Sequence, residues 1–157
     1  MRDHGGVAPS APRLPLAALL GRVQGRYVTE FEQRLADAGY PDTSLAHGAN
    51  VLRHLAADEG VRLSELVPQA GVSKQAVSQQ VAHLVARGYV VVEPDPADQR
   101  AKTLRLTPRG AACQQAAKDA FVALERSWRV RYGDEQVAQL REVLQEILEE
   151  DPPSRPC

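Results

Sequence analysis

The sequence predicts a mainly α-helical protein with a small β wing, and three observations support this fold class. Apolar residues recur at helical spacing over most of the chain. A short helix, a glycine turn and a second helix are followed by two alternating strands with a polar hairpin between them. The length of 157 residues, with 43% hydrophobic and 25% charged residues, suits one globular domain with long helical extensions.

The first two helices are predicted from apolar stripes. The first runs from Leu16 to Tyr40, before Pro41, and is longer than a compact domain needs, so we expect part of it to pack on a partner. The second helix follows and ends at Gly60. Its cap is Asp42, Thr43 or Ser44, and its stripe is Leu45, Ala49, Leu52, Leu55 and Ala56.

The helix pair comes next. Residues 61–63 are a very short strand candidate, and Ser64 is the predicted N-cap of a helix that Pro68 should keep short or bent. Gly71 supplies the left-handed residue of a tight turn. Ser73 can cap the second helix of the pair, which extends to about Arg87.

The ribbon and the last helices complete the pattern. The strands "YVVVE" and "KTLRL" flank the polar tip "PDPADQRA", and Thr107 caps an alanine-rich helix with Pro108 in its first position. A final helix over 134–150 carries an apolar stripe that requires burial. The whole predicts a winged helix-turn-helix with a long helical dimerisation region. Its parts are a disordered arm (1–14), a dimerisation helix (15–41), a DNA-binding domain (42–107), two dimerisation helices (108–150) and a disordered tail (151–157).

Charge is distributed unevenly, although the formal net charge is only −1. The region from Ser73 to Arg109 holds six Lys or Arg and three acids, whereas residues 134–151 hold seven acids and one Arg. One region is therefore basic enough to meet phosphate.

The second helix of the pair has an unusual polar face. Val77, Val81, Leu84 and Val85 form its core stripe, and no acid occurs from Ser73 to Tyr89. Glutamine can bond adenine in the major groove, and alanine can touch a thymine methyl. The alternative is a neutral solvated face. The candidate DNA-contacting residues of this helix are Ser73, Lys74, Gln75, Ser78, Gln79 and His83.

The hairpin tip supplies three further candidates, Asp98, Arg100 and Lys102. Arg100 and Lys102 can reach the DNA backbone or the minor groove, where arginine reads groove width. We expect Asp98 to pair with Arg100 and to fix its direction. The alternative is a solvated hairpin ion pair that contributes less than about 1 kcal/mol.

These residues resemble the MarR family of bacterial transcription regulators. The resemblance rests on "AGYPDTSLAHGANVLRHL", "AGVSKQAVSQQVAHLVARGYV" and "DPADQRAKTLRLTPRGA", and it covers about Leu16 to Glu150. It implies a homodimer on a pseudo-palindromic operator, often a repressor released by a small aromatic or phenolic effector. Organic-hydroperoxide sensors of the family carry a reactive cysteine in the first helix, and this chain has none there.

The resemblance also implies a ligand pocket between the dimer helices and the DNA-reading domain. The residues able to line it are Arg22, Tyr27, His47, His54 and Trp128. The histidines are seven apart, hence two helical turns on one side, but a metal site needs more ligands. Structural or solvated histidines, and a tryptophan in the interface core, are the alternatives. We predict no metal and no cofactor.

Other functions find little support. Cys113 is a small packing residue in this interpretation, Cys157 is terminal, and we expect a cytoplasmic protein without a secretory signal or membrane span. No nucleophile elbow, paired-acid motif, phosphate loop or metal cluster is visible, so an enzyme is not predicted. Seven aromatic residues are too few for a single-strand stacking platform. A winged-helix module that binds protein instead of DNA stays open.

Overall fold

A computed structural model describes residues 14–98 and 100–149. The predicted tail and the predicted arm, apart from Leu14, lie outside the described residues. The helices are α1 (Leu16–Asp37), α2 (Asn50–Leu52), α3 (Leu63–Ala70), α4 (Lys74–Ala86), α5 (Pro108–Tyr132) and α6 (Asp134–Glu149). The strands are β1 (Val61–Arg62), β2 (Val90–Pro94) and β3 (Lys102–Leu106). The predicted fold class is confirmed.

The second predicted helix is not regular, and the sequence prediction was wrong there. Ser44 is its cap, since its side chain accepts a hydrogen bond from His47 N, and an irregular turn over Leu45–Ala49, kinked at His47 and Gly48, precedes the short α2. Gly48 breaks the regular path with φ +115°, a value that glycine adopts without strain. A Cβ on Gly48 would lie 2.7 Å from Leu84 Cγ, so the turn packs directly on α4.

The start of α3 also differs from the prediction. Its N-cap is Arg62 and not Ser64, because the backbone N–H of Arg62 donates to the carboxylate of Glu65 at 3.0 Å. Pro68 lies inside a helix of eight residues, as short as expected. Gly71 ends it in the left-handed conformation with φ +67°, which opens the turn to α4.

The three strands form one antiparallel sheet in the order β1-β3-β2. Val61 pairs with Leu104, and Val90 pairs with Leu106. Leu104 and Leu106 are buried against the helices, so the alternation of β3 sets which face of the sheet meets the core.

The start of α5 is fastened to the end of α4. The Thr107 hydroxyl caps α5 by accepting from Gly110 N, and it donates to Gly88 O at 2.7 Å. Gly110 packs so closely on Tyr89 O that a Cβ would lie 2.0 Å from this oxygen. The motif Thr-Pro-x-Gly therefore joins the wing to the long helix.

The buried hydrophobic residues form two separate cores. The larger core fills the space between α2, α3, α4 and the sheet, with Leu66, Leu84 and Tyr89 at its centre. The smaller core joins α1 to α5 through Phe31, Leu35 and Leu124. No residue of α6 is buried among the described residues, and its apolar stripe lies open to solvent.

Candidate nucleic-acid interface

The outward face of α4 carries most of the predicted DNA-contacting residues. Those that the structure places in exposed positions are Ser73, Lys74, Gln75, Ser78, Gln79 and also Ala82. Ser73 is the N-cap, and its hydroxyl accepts from Ala76 N at 3.2 Å. Because α4 begins at Lys74, its first turn presents free N–H groups together with a lysine, and both attract anions.

The buried face of α4 differs from the predicted stripe in two residues. Val77, Val81 and Leu84 are buried as predicted, but Val85 is 38% exposed and Gln80 is only 9% exposed. Gln80 lies on the helical wheel about 40° beyond Leu84, at the edge of the apolar stripe. It shares a small pocket with Ala46 and His47, which lie in the turn that packs on α4. The polar face of α4 is therefore narrower than the number of its glutamines suggests.

His83 is half-buried and is held by the rest of the domain. Its Nε2 lies 2.7 Å from the carbonyl oxygen of Asp42 and therefore donates to it. The carboxylate of Asp42 accepts from the hydroxyl of Tyr89 and lies 3.6 Å from Arg87 and 3.9 Å from Arg109. The hydrogen bond from Tyr89 is the main reason why the pKa of Asp42 is lowered.

The wing tip is organised by two aspartates. Asp98, exposed, accepts a hydrogen bond from the backbone N–H of Arg100 at 3.0 Å. Within the described residues Asp98 forms no ion pair with Arg100, so the expected pairing with the guanidinium is wrong. The Arg100 side chain is exposed, and Lys102, opposite Pro94 in the ribbon, is exposed as well.

The second aspartate, Asp95, was missed by the sequence prediction. It is 7% exposed, accepts from Ala97 N at 2.8 Å, and binds the guanidinium of Arg62, whose Nε lies 2.6 Å from Oδ2. These contacts, with the Ala97 amide first, lower the pKa of the Asp95 carboxyl. Arg62 lies 33 residues earlier in the chain, so no local pattern could have revealed the pair. The bridge fixes the wing tip to the edge strand β1.

The five predicted ligand-pocket residues do not converge. Tyr27 and Trp128 contact each other edge to face at 5.3 Å between α1 and α5. His47 lies beside His83 with ring centroids 5.4 Å apart, whereas His54 accepts a hydrogen bond from Arg53. The break at Gly48 separates the two histidines, so they do not share one helical side. Arg22 is exposed on α1.

A partly enclosed cavity of about 270 Å³ does lie between the long helices α1 and α5 and residues 43–53. Its aromatic wall is the ring pair of Phe31 and Phe121, stacked at 4.2 Å. Thr43 is 2% exposed, and its hydroxyl lies in the protein interior beside Tyr89 and Cys113. The complete lining is Phe31, Thr43, Leu45, Ala49, Asn50, Leu52, Arg53, Cys113, Gln114, Ala117, Lys118 and Phe121.

Two kinds of feature are absent from residues 14–98 and 100–149, a helix that could span a membrane and a cluster of three or more His, Cys, Asp or Glu side chains. No described helix has the length and hydropathy needed to cross a membrane. Over the same residues no three His, Cys, Asp or Glu side chains cluster as metal ligands would.

The fold is that of a winged helix-turn-helix protein. The helices α3 and α4 form the pair, the glycine turn joins them, and the three-stranded sheet is the wing. The family model described as "MarR family" matches residues 48–101, which span α2, the helix pair and the wing tip. This segment of the chain is therefore similar to the MarR family. No curated protein sequence matches it.

Solved structures share the fold at low sequence identity. A mutant of MarR from E. coli complexed with operator DNA is 22% identical, with 86% of this chain and 94% of that chain covered and a TM-score of 0.67. Bordetella bronchiseptica BpsR, described as regulated in DNA binding by 6-hydroxynicotinic acid, is 22% identical (92% and 100% covered, TM-score 0.66). The Mycobacterium tuberculosis MarR family protein Rv2887, solved with p-aminosalicylic acid, is 25% identical (85% and 98% covered, TM-score 0.61).

Proposed function

We propose that the protein is a sequence-specific regulator of transcription that binds double-stranded DNA. The observation that carries this proposal is the exposed, acid-free face of α4, where Gln75 and Gln79 project into solvent beside Lys74. A carboxylate on this face would repel phosphate, and amides can bond base edges in the major groove. A solvated helix without a partner has no need to exclude Asp and Glu over 17 residues from Ser73 to Tyr89.

The wing provides the second contact in this proposal. Arg100 extends from a tip that is closed by Asp98 and anchored through Asp95, so its backbone is fixed before DNA arrives. A preorganised arginine loses less conformational entropy on binding than one on a flexible loop. We assign the major-groove contacts to α4 and a backbone or minor-groove contact to Arg100.

The acting form in this proposal is a homodimer. Most apolar residues of α6 are exposed in the described part of one chain, with Ile147 58% and Leu148 84% exposed, and Leu16 at the start of α1 is 68% exposed. Exposed apolar surface of this extent favours association with a second copy through the same surfaces. Two reading helices related by a two-fold axis would contact half-sites about 34 Å apart, one turn of the duplex.

The test of DNA binding is fluorescence anisotropy with the region upstream of the protein's own gene, against a scrambled duplex. We expect Gln79→Ala to cost about 1–3 kcal/mol and to relax one base position. The matched control is Gln115→Ala, an exposed glutamine on α5 that bonds Asp119 and should leave binding unchanged. Equal affinity for the scrambled duplex would remove the claim of specificity, and absence of binding at low salt would remove the proposal.

The partly enclosed cavity supports a ligand-responsive repressor. Its volume is slightly below the range for drug-sized ligands and suits one aromatic ring. Phe31 and Phe121 provide an apolar wall, whereas Arg53 and Lys118 can meet a carboxylate. We therefore propose a small aromatic acid or phenol as effector. Salicylate is a suitable probe: calorimetry should show binding that Phe121→Ala weakens, and operator DNA should be released. Unchanged calorimetric binding in that variant would place the probe elsewhere.

A further inference from the structure

A small polar cleft lies along α4, where the irregular turn after Ser44 packs on this helix. We propose that the cleft binds a divalent transition-metal ion of the kind that prefers imidazole ligands, such as Zn²⁺ or Cu²⁺. The ligands are His47, His83 and the side-chain amide oxygen of Gln80. The proposal concerns metal binding and does not rest on the proposed function. The cleft has a volume of about 220 Å³ and is lined by Ala46, His47, Ala76, Gln79, Gln80 and His83.

The separation of the two histidine rings is the first observation that points to an ion. His47 comes from the turn before α2 and His83 from the second half of α4, and their ring centroids lie 5.4 Å apart. Two imidazoles that bind one tetrahedral ion, each with its nitrogen about 2.0–2.1 Å from the metal, have ring centroids about 5 Å apart. The fold therefore brings two rings from different elements to the separation that a shared ion requires.

The hydrogen bonds of the two rings determine which nitrogens can bind the ion. Nε2 of His83 lies 2.7 Å from the carbonyl oxygen of Asp42, and because a carbonyl only accepts, this nitrogen carries the proton. The neutral ring therefore has its lone pair on Nδ1. In His47 the engaged nitrogen is Nδ1, 2.7 Å from the hydroxyl oxygen of Ser44, so Nε2 is the metal ligand. Metal-binding histidines usually have such a partner on the other ring nitrogen, because it fixes the tautomer and the ring orientation.

The third ligand comes from a buried amide. Gln80 is only 9% exposed, and its Oε1 accepts no hydrogen bond from residues 14–98 and 100–149. A buried acceptor without a partner is unfavourable, and native proteins satisfy such atoms with an ordered water or an ion. Gln80 lines the same cleft as both imidazoles. Two imidazole nitrogens and one amide oxygen then leave the fourth position of a tetrahedral ion to water.

The chemistry of the ligands decides which ions the cleft accepts. The described residues contain no cluster of three His, Cys, Asp or Glu, and the set differs from such a cluster because its third ligand is an amide. No acidic side chain lines the cleft. Mg²⁺ and Ca²⁺ prefer several oxygen ligands, carboxylates above all, whereas imidazole suits Zn²⁺, Cu²⁺ and Ni²⁺. The cleft therefore selects the second group of ions.

The test is a calorimetric titration of the untagged full chain with Zn²⁺, with circular dichroism as the check of folding. The background carries His4→Gln, His54→Gln and Cys157→Ser, so that His47 and His83 are the only histidines and the terminal thiol is removed. We expect one Zn²⁺ per chain in this background. His47→Gln and His83→Gln should each weaken the binding at least about tenfold. Absence of Zn²⁺ binding in the background, or unchanged affinity in either variant, would overturn the inference.

A variant with a gain of affinity keeps the test decisive where loss of a histidine also disturbs folding. Gln80→Glu exchanges the amide for a carboxylate of the same shape and completes a set of two histidines and one glutamate, which zinc enzymes use. It should tighten Zn²⁺ binding at least about tenfold, since affinity rises with the charge of the ligands. The matched control is Gln24→Glu, which adds the same charge at an exposed position of α1 and should leave the affinity unchanged. Equal affinities of the two variants would overturn the inference.

Pulsed EPR of the background chain loaded with Cu²⁺ counts the coordinated imidazoles directly. We expect two imidazoles on the ion, and one after His83→Gln. A spectrum without imidazole nitrogen, or one that His83→Gln leaves unchanged, would overturn the inference as well.

Discussion

Replacement of Gly110 by alanine tests the closest contact between the wing and the long helix α5. A Cβ at this position would lie 2.0 Å from the carbonyl oxygen of Tyr89 and 3.0 Å from its carbon. Both obstructing atoms belong to the backbone, so no side-chain rotation relieves the overlap. The start of α5 must therefore move away from Tyr89 by about 1.5 Å to reach an ordinary van der Waals distance of about 3.5 Å.

The cost follows from the contacts that this movement breaks. Thr107 N donates to Tyr89 O at 3.0 Å, and the Thr107 hydroxyl donates to Gly88 O at 2.7 Å. Two hydrogen bonds at about 1 kcal/mol each, with about 1–3 kcal/mol for overpacking and about 1 kcal/mol regained from the helix propensity of alanine, give a net loss of about 2–4 kcal/mol.

The assay is urea unfolding followed by circular dichroism at one fixed protein concentration, since association would make stability depend on concentration. The control is Gly25→Ala in α1, where a Cβ meets nothing within 4 Å. This substitution should stabilise the protein by about 0.5–1 kcal/mol, because glycine inside a helix is unfavourable relative to alanine. If Gly110→Ala were as harmless as Gly25→Ala, the packing of α5 on Tyr89 described above would be incorrect.

Three further perturbations test the other contacts. Tyr89→Phe removes the donor to the Asp42 carboxylate and should lower the free energy of unfolding by about 1.5–3 kcal/mol, measured by urea unfolding; a change below about 0.5 kcal/mol would contradict the bond. The pKa of Asp95 is lowered in the folded protein, so its contribution is present above the unfolded value of about 4 and disappears as the pH falls through the folded pKa. The protection of the Ala97 backbone amide against hydrogen exchange should therefore fall in that acid range and stay constant between pH 6 and about 8. The same protection over the whole pH range would refute the role of Asp95. Arg100→Ala should weaken binding to all DNA sequences by a similar factor. It should also reduce by about 1 the slope of log affinity against log salt concentration, and an unchanged slope would exclude a phosphate contact.

Local patterns in the sequence predicted most of the fold. The Thr107 cap with Pro108 and the cap at Ser73 each depend on residues within one turn, and the structure confirms them. In "KTLRL" the predicted inward residues Leu104 and Leu106 are buried, but Thr103 is buried as well. The failures involve contacts between distant residues. Arg62 caps α3 while it also binds Asp95, and neither role can be deduced from its neighbours in sequence.

The interrupted second helix illustrates the same limit. Leu45, Ala49 and Leu52 fit a helical stripe, but Gly48 must approach Leu84 on another helix, and this requirement overrides the local pattern. His47 and His54 were assigned to one side on the basis of that stripe. Two of the five candidate pocket residues were thus placed on a helix that the fold divides, and the cavity is lined by residues with no distinctive local signal.

The length of α5 has a consequence for how the molecule moves in an electric field. Its 25 residues extend over about 37 Å and hold the basic wing at one end and the acids of α6 at the other. A chain whose net charge is close to zero is then a large electric dipole. Near a polyanion we expect little net attraction, and an orientation in which the basic wing faces the polyanion is favoured.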